Sequence, residues 1–171
     1  VTSQMMAYLK GKRADLHVTT HMGGETREFF NEREIAHMED VQGLFLKAIV
    51  LRRICVAVCV TALLFMVLSK ADLRTLLPSS LCMGTGLFFA SIAALAAIIS
   101  TNFTKYFILF HHMFFNNDLW ILDPSTDMLI NIVPEGFFMD TAERIAFLFG
   151  SLSLILFGLC LIMTLKNKHR K

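Results

Sequence analysis

The chain has 171 residues, of which 55% are hydrophobic and 18% charged, with a formal net charge of +2. That is too apolar and too charge-poor for an ordinary soluble domain, in which about a quarter of residues are charged. The near balance of charge, without a basic block interleaved with aromatics, argues against nucleic acid as a partner.

In chain order, the start Val1-Thr2-Ser3-Gln4 has neither the pattern of a signal peptide nor that of an initiator region. Residues 1–47 are hydrophilic and are expected to form an extracytoplasmic segment, preceded in the intact protein by a further N-terminal membrane helix. Three apolar runs follow, at 48–69, 79–102 and 143–165. Roughly 20 apolar residues cross the hydrocarbon core as a helix, so each is expected to span the membrane. The first carries Arg52 and Arg53 near its start, where long side chains snorkel to headgroups. In the second, Gly86, Ala90, Ala94 and Ala97 share a face, a spacing that lets helices approach closely in lipid. Asp140 followed by Glu143 predicts the N-cap of the last helix. Asp123-Pro124 predicts the start of a short helix inside the loop 103–142, which also carries an interfacial helix. The expected fold is thus all-α and polytopic, one integral membrane domain over 1–171, closed by a basic tail at 166–171. Cys55, Cys59, Cys82 and Cys160 all lie in apolar runs without metal-ligand spacing and read as small hydrophobes.

The basic tail is cytoplasmic by the positive-inside rule. The last helix then runs outside to inside, which places 103–142 and 1–47 together on the outer side.

Two segments on that side carry histidine. In Glu34-Ile35-Ala36-His37-Met38-Glu39-Asp40-Val41, His37 lies on one helical face with Val41, Leu44 and Ala48. Glu34 and Asp40, three residues to either side, are candidates to fix its tautomer and leave the other nitrogen as a base. The plainer reading is a surface histidine paired with an acid. In the second segment, Phe103, Phe107, Phe110 and Phe114 repeat at helical spacing, and His111 falls on their face while His112 points about 100° away. Tyr106 and Trp120 are expected interfacial anchors. The plainer reading is an interfacial helix with an incidental histidine; the other is a lipid-binding pocket. Asp118, Asp127 and Glu135 are candidates to orient a histidine. No nucleophile elbow, His-Glu-x-x-His or phosphate loop is present; Gly23-Gly24 lacks the lysine and strand context.

The segments Glu34-x-x-His37-Met38-x-Asp40-Val41, Phe110-His111-x-x-Phe114-Phe115-x-Asn117-Asp118-x-Trp120 and Pro134-Glu135-Gly136-Phe137-Phe138-x-Asp140, with a weaker match at Tyr8-Leu9, resemble the bacterial integral membrane family of lipoprotein intramolecular transacylases. The resemblance covers essentially the whole chain. It implies four membrane helices in the intact protein, in the bacterial cytoplasmic membrane with the active site outside. It also implies a reaction: one fatty acyl chain moves from the glyceryl sn-2 oxygen of a diacylglyceryl lipoprotein to the α-amino group of its N-terminal cysteine. The product is an N-acyl, S-monoacylglyceryl (lyso) lipoprotein. On this reading His37 is the general base and His111 the acid or oxyanion partner, with the two roles exchangeable. Asp40, Glu34, Asp118, Glu135, Arg52, Arg53 and Trp120 are supporting residues. No cofactor, metal, nucleic acid or obligate protein partner is expected, and membrane lipid surrounds the protein. His17, His21, His112 and His169 stand outside the site. The competing readings are a non-enzymatic membrane accessory protein and a metal-dependent membrane hydrolase using His37, His111 and nearby acids.

Overall fold

The computed structural model describes residues 1–22 and 24–168; Gly23 and the tail residues His169, Arg170 and Lys171 lie outside the described residues. The elements run α1 (Thr2–Leu9), β1 (Thr19–Met22), β2 (Glu25–Glu28), α2 (Glu32–Leu68), α3 (Leu73–Ser100), α4 (Phe103–Phe114), α5 (Met128–Ile132) and α6 (Glu135–Lys168). The protein is a helical membrane protein: α2, α3 and α6 are each long and apolar enough to cross a bilayer. At 37 residues, α2 is roughly 55 Å long, well beyond a hydrocarbon core of about 30 Å. The helix is thus longer than the core it would cross, and its first turns, which hold His37, are its charged end.

The chain divides into two compact units, residues 1–56 with 104–138, and 57–103 with 139–171. The first unit has a core of Met5, Tyr8, Leu9, Leu16, Val18, Phe30, Met38 and Leu129. The strands β1 and β2 form an antiparallel hairpin with Thr19 opposite Glu28 and Met22 opposite Glu25. Gln42 Nε2 donates to the Tyr8 carbonyl at 2.6 Å, fastening the end of α1 to α2.

The start of α2 is held by a reciprocal cap. Asn31 Oδ1 accepts from the Glu34 amide at 2.9 Å, and Glu34 Oε2 accepts from the Asn31 amide at 2.7 Å. Two of the amides that a helix start leaves unpaired are thereby satisfied.

In the second unit, a Cβ placed on Gly86 would lie 3.0 Å from Phe157 Cε2, so the missing side chain lets α3 and α6 approach. Phe88 and Phe149 meet edge to face at 5.6 Å. Of the small-residue face expected on the second span, Gly86 packs against α6, whereas Ala90, Ala94 and Ala97 are exposed.

Two helix starts differ from expectation. Helix α6 begins at Glu135, ahead of Asp140, because Pro134 stands directly before it and its carbonyl accepts the Phe137 amide at 2.9 Å. A proline at a helix entrance loses no needed donor. The short loop helix begins at Met128 and not at Pro124. The Asp123 carboxylate takes the Ser125 amide and hydroxyl, and the Asp127 carboxylate takes the Asp123 amide at 2.7 Å, so 123–127 is a tight turn. Of the four cysteines, only Cys160 is buried; Cys55 and Cys59 lie on the exposed surface of α2.

Candidate active site

Helix α4 carries Phe103 and Phe107 half-buried, Phe110 and Phe114 exposed, and His111 buried. His111 is 9% exposed, whereas His112, one residue on, is exposed. His37, on the first turns of α2, is 6% exposed. The two imidazoles, far apart in sequence, meet at 6.2 Å between ring centroids with 35° between planes. Phe115 closes the pair from a third side, with its ring 5.3 Å from His37 and 5.7 Å from His111. Trp120 stacks on His111 at 4.8 Å and 28°, and Phe107 packs against its other neighbourhood at 4.4 Å.

Hydrogen bonding distinguishes the two rings. His111 Nδ1 lies 2.7 Å from the Phe107 carbonyl oxygen. A carbonyl only accepts, so Nδ1 carries the proton, and in the neutral ring Nε2 bears the lone pair. His37 Nδ1 is sealed from solvent and has no hydrogen-bond partner among the described residues, as is Trp120 Nε1. Burial, reinforced by His111, pushes His37 down to about 4 against the upward pull of Asp40. Burial also lowers His111, opposed by its bond to Phe107. Both rings are therefore neutral at neutral pH.

The acids expected to orient His37 do other work. Glu34, 1% exposed, completes the α2 cap, and its Oε1 accepts from the Leu129 amide, joining α2 to α5. Asp40 Oδ2 accepts from Asn117 Nδ2 at 2.8 Å. Among the described residues no hydrogen bond joins His37 to either carboxylate. The Asp118 backbone carbonyl takes a hydrogen bond from Arg33 Nη2. Glu135 accepts from Thr104 Oγ1, tying the start of α6 to the start of α4. The Asp123 amide, helped by Asn31 Nδ2 at 2.7 Å, donates to Asp127 and holds its carboxyl below the usual range. Arg52 and Arg53 are exposed and lie roughly 22 Å beyond His37 along α2, apart from the imidazole pair. Of the expected residues, the structure gathers His37, His111 and Trp120, with Asp40 nearby.

Sequence reasoning left Phe115 and Asn117 without roles. Phe115 stands four residues after His111, on the same helical side, and that spacing was the available signal. The cap was also readable, as Asn31 followed three residues later by Glu34. Among the described residues no group of three His, Cys, Asp or Glu side chains is placed to hold a metal ion.

Three membrane-length helices and a buried imidazole pair under an aromatic loop define a helical membrane protein with a candidate acid–base site. A profile described as "Lipoprotein intramolecular transacylase Lit" matches residues 1–138, and the chain belongs to that family. The family is one of transacylases, which places the chain among acyltransferases acting in lipoprotein maturation. A solved structure, the membrane-integral lipoprotein intramolecular transacylase Lit from Bacillus cereus, has the same fold, with a TM-score of 0.76 and 24% identity over 99% of this chain and 73% of that one. No curated protein sequence matches the chain.

Proposed function

We propose that the protein moves the sn-2 acyl chain of a diacylglyceryl lipoprotein to the α-amino group of that lipoprotein's own N-terminal cysteine. The observation that carries this reading is the buried pair His37 and His111, neutral and 6.2 Å apart, in a member of a transacylase family.

The α-amino group has an ordinary pKa near 8 and must lose a proton to attack an ester. His111 suits the base. Its Nδ1–H is anchored on the Phe107 carbonyl, which aims the Nε2 lone pair. The ammonium first gives one proton to solvent; as the neutral amine adds to the ester carbonyl, a second N–H proton passes to His111 Nε2 and a tetrahedral oxyanion forms. His37, with Nδ1 bare, carries its proton on Nε2 and donates a hydrogen bond to that oxyanion; a neutral imidazole serves as such a donor. The carbon–oxygen bond to glycerol then breaks, and the His111 imidazolium returns the proton to the glyceryl oxygen. This is the exchanged version of the roles first assigned, and the Phe107 bond is what favours it. Amine and ester belong to one molecule, so alignment supplies much of the rate and no protein nucleophile is required. The site faces the outer side of the bacterial cytoplasmic membrane, a reading supported by Lys166 and Lys168 at the far end of α6.

The test is His37→Gln and His111→Gln, assayed on a diacylglyceryl lipopeptide with a free amine. Each variant is expected to lose about 10²–10⁴-fold in turnover while keeping its helical content and elution volume. Near-native turnover in both overturns the site.

A further inference from the structure

Beside the histidine pair lies a cavity of about 820 Å³ between α2 and the end of α4 that the reaction scheme does not use. Its volume falls within the range of small-molecule pockets. The wall follows α2 from Glu39 to Leu51, roughly 18 Å. Polarity changes along that length. Glu39 and Asp40 stand at one end with Asn117, while Leu44, Ala48 and Leu51 lie towards the other, faced by Phe114. Phe115 belongs both to this wall and to the imidazole pair, so a single ring separates the cavity from the site. Lys47 shares the wall, and a stem of its length lies along apolar surface with the ammonium reaching out.

Gly43 lies midway along that wall. A glycine inside a helix costs up to about 1 kcal/mol against alanine, so it calls for a reason. Packing is not that reason: a Cβ at Gly43 would meet nothing within 4 Å. Gly86, by contrast, has the Phe157 ring against it. What the bare backbone at Gly43 preserves is open space along an apolar wall with an acidic mouth. That form and charge complement a hydrocarbon chain attached to a cationic head. Resting on the transacylase reading, we propose that this groove seats one acyl chain of the diacylglyceryl cysteine over Gly43, with the α-ammonium of the same molecule at Asp40 and Glu39. The Asn117 bond fixes the Asp40 carboxylate for that contact. Gly43 and Ala48 then set the acyl length the protein accepts, and Asp40 holds the amine beside the imidazoles until it gives up its proton.

The probe is an ether-linked dialkyl lipopeptide, which cannot be cleaved, made with long (C16) or short (C8) chains and with a free or an acetylated amine. Equilibrium binding to the full-length protein in detergent micelles is measured. Gly43→Phe and, as a second plug, Ala48→Phe are expected to weaken the long-chain probe at least about tenfold, the equivalent of two methylenes kept from burial, and the short-chain probe far less. Asp40→Asn weakens the free-amine probe about three- to tenfold more than the acetylated one. Unchanged long-chain binding in both plugged variants, or equal losses for both chain lengths, overturns the acyl assignment. Equal effects of Asp40→Asn on both amine forms overturn the ammonium assignment. Because binding is read without turnover, a native protein that binds these probes yet fails to convert the ester substrate would count against the transacylase reading and not against the groove.

Discussion

His111 illustrates how one backbone contact sets chemistry. Were its Nδ1 in solvent, either tautomer would serve; bonded to the Phe107 carbonyl, only one neutral form is satisfied. His37 lacks such an anchor and is shaped by burial instead, which holds it at about 4. The sign of the consequence follows. An unfolded histidine titrates near 6.5, so between about 6.5 and 4 the unfolded chain binds the proton that the folded one refuses. This contribution to stability is intact above 6.5, is lost as pH falls towards 4, and levels off below. Melting temperatures in detergent across that range are expected to fall less steeply for His37→Gln than for the native protein. Parallel pH curves would show that His37 is not held neutral. Trp120 stacks on His111, and Trp120→Phe keeps a ring there but removes the sealed Nε1–H. That variant is expected to retain most of the turnover and Trp120→Ala to lose about tenfold or more, as imidazole alignment is lost; steady-state rates on the lipopeptide check both.

Among the elements, α2 is fixed by the cap at its start, and the glycines of α2 and α3 differ in what surrounds them. Its first turns are built into the first unit through Glu34, whose carboxylate serves the Asn31 and Leu129 amides at once. Glu34→Gln replaces one accepting oxygen by a donor, leaving a buried amide unpaired. A loss of about 1–3 kcal/mol is expected, seen as a lower melting temperature, without the collapse of turnover that follows loss of either histidine. The glycines make opposite predictions. Gly86→Leu forces a side chain into the Phe157 ring and is expected to cost about 1–3 kcal/mol. Gly43→Ala meets open space and is expected to add about 0.5–1 kcal/mol, since alanine favours helix. Thermal melting of the two variants side by side reads both signs.

For the whole molecule, legibility tracked the range of the forces involved. The spans were plain in the sequence because solvation by lipid needs only composition and length, as in the run from Ser79 to Asn102. Helix α4 was plain because its phenylalanines repeat with the helical period. The meeting of His37 with His111 is a tertiary fact: spacing placed each on a face, and only resemblance joined them. Glu34 was read as a partner for His37 because it is three residues away, yet that same spacing from Asn31 makes it a cap, and the cap prevailed. The hairpin Thr19–Met22 and Glu25–Glu28 escaped because its strands are short and polar, so alternation gives little signal. The start of α6 escaped because Asp140 offered a conventional cap while Pro134 gave an earlier entrance.

In the proposed reaction the acyl chain moves within one lipoprotein molecule. The most direct measurement mixes two lipopeptides, one with a deuterated sn-2 acyl chain and a heavy peptide, the other unlabelled throughout, and reads the N-acylated products by tandem mass spectrometry. Intramolecular transfer gives only heavy-on-heavy and light-on-light N-acyl products, of unchanged total mass. Heavy acyl on light peptide would mean transfer between molecules, and release of free fatty acid would mean hydrolysis; either result contradicts it.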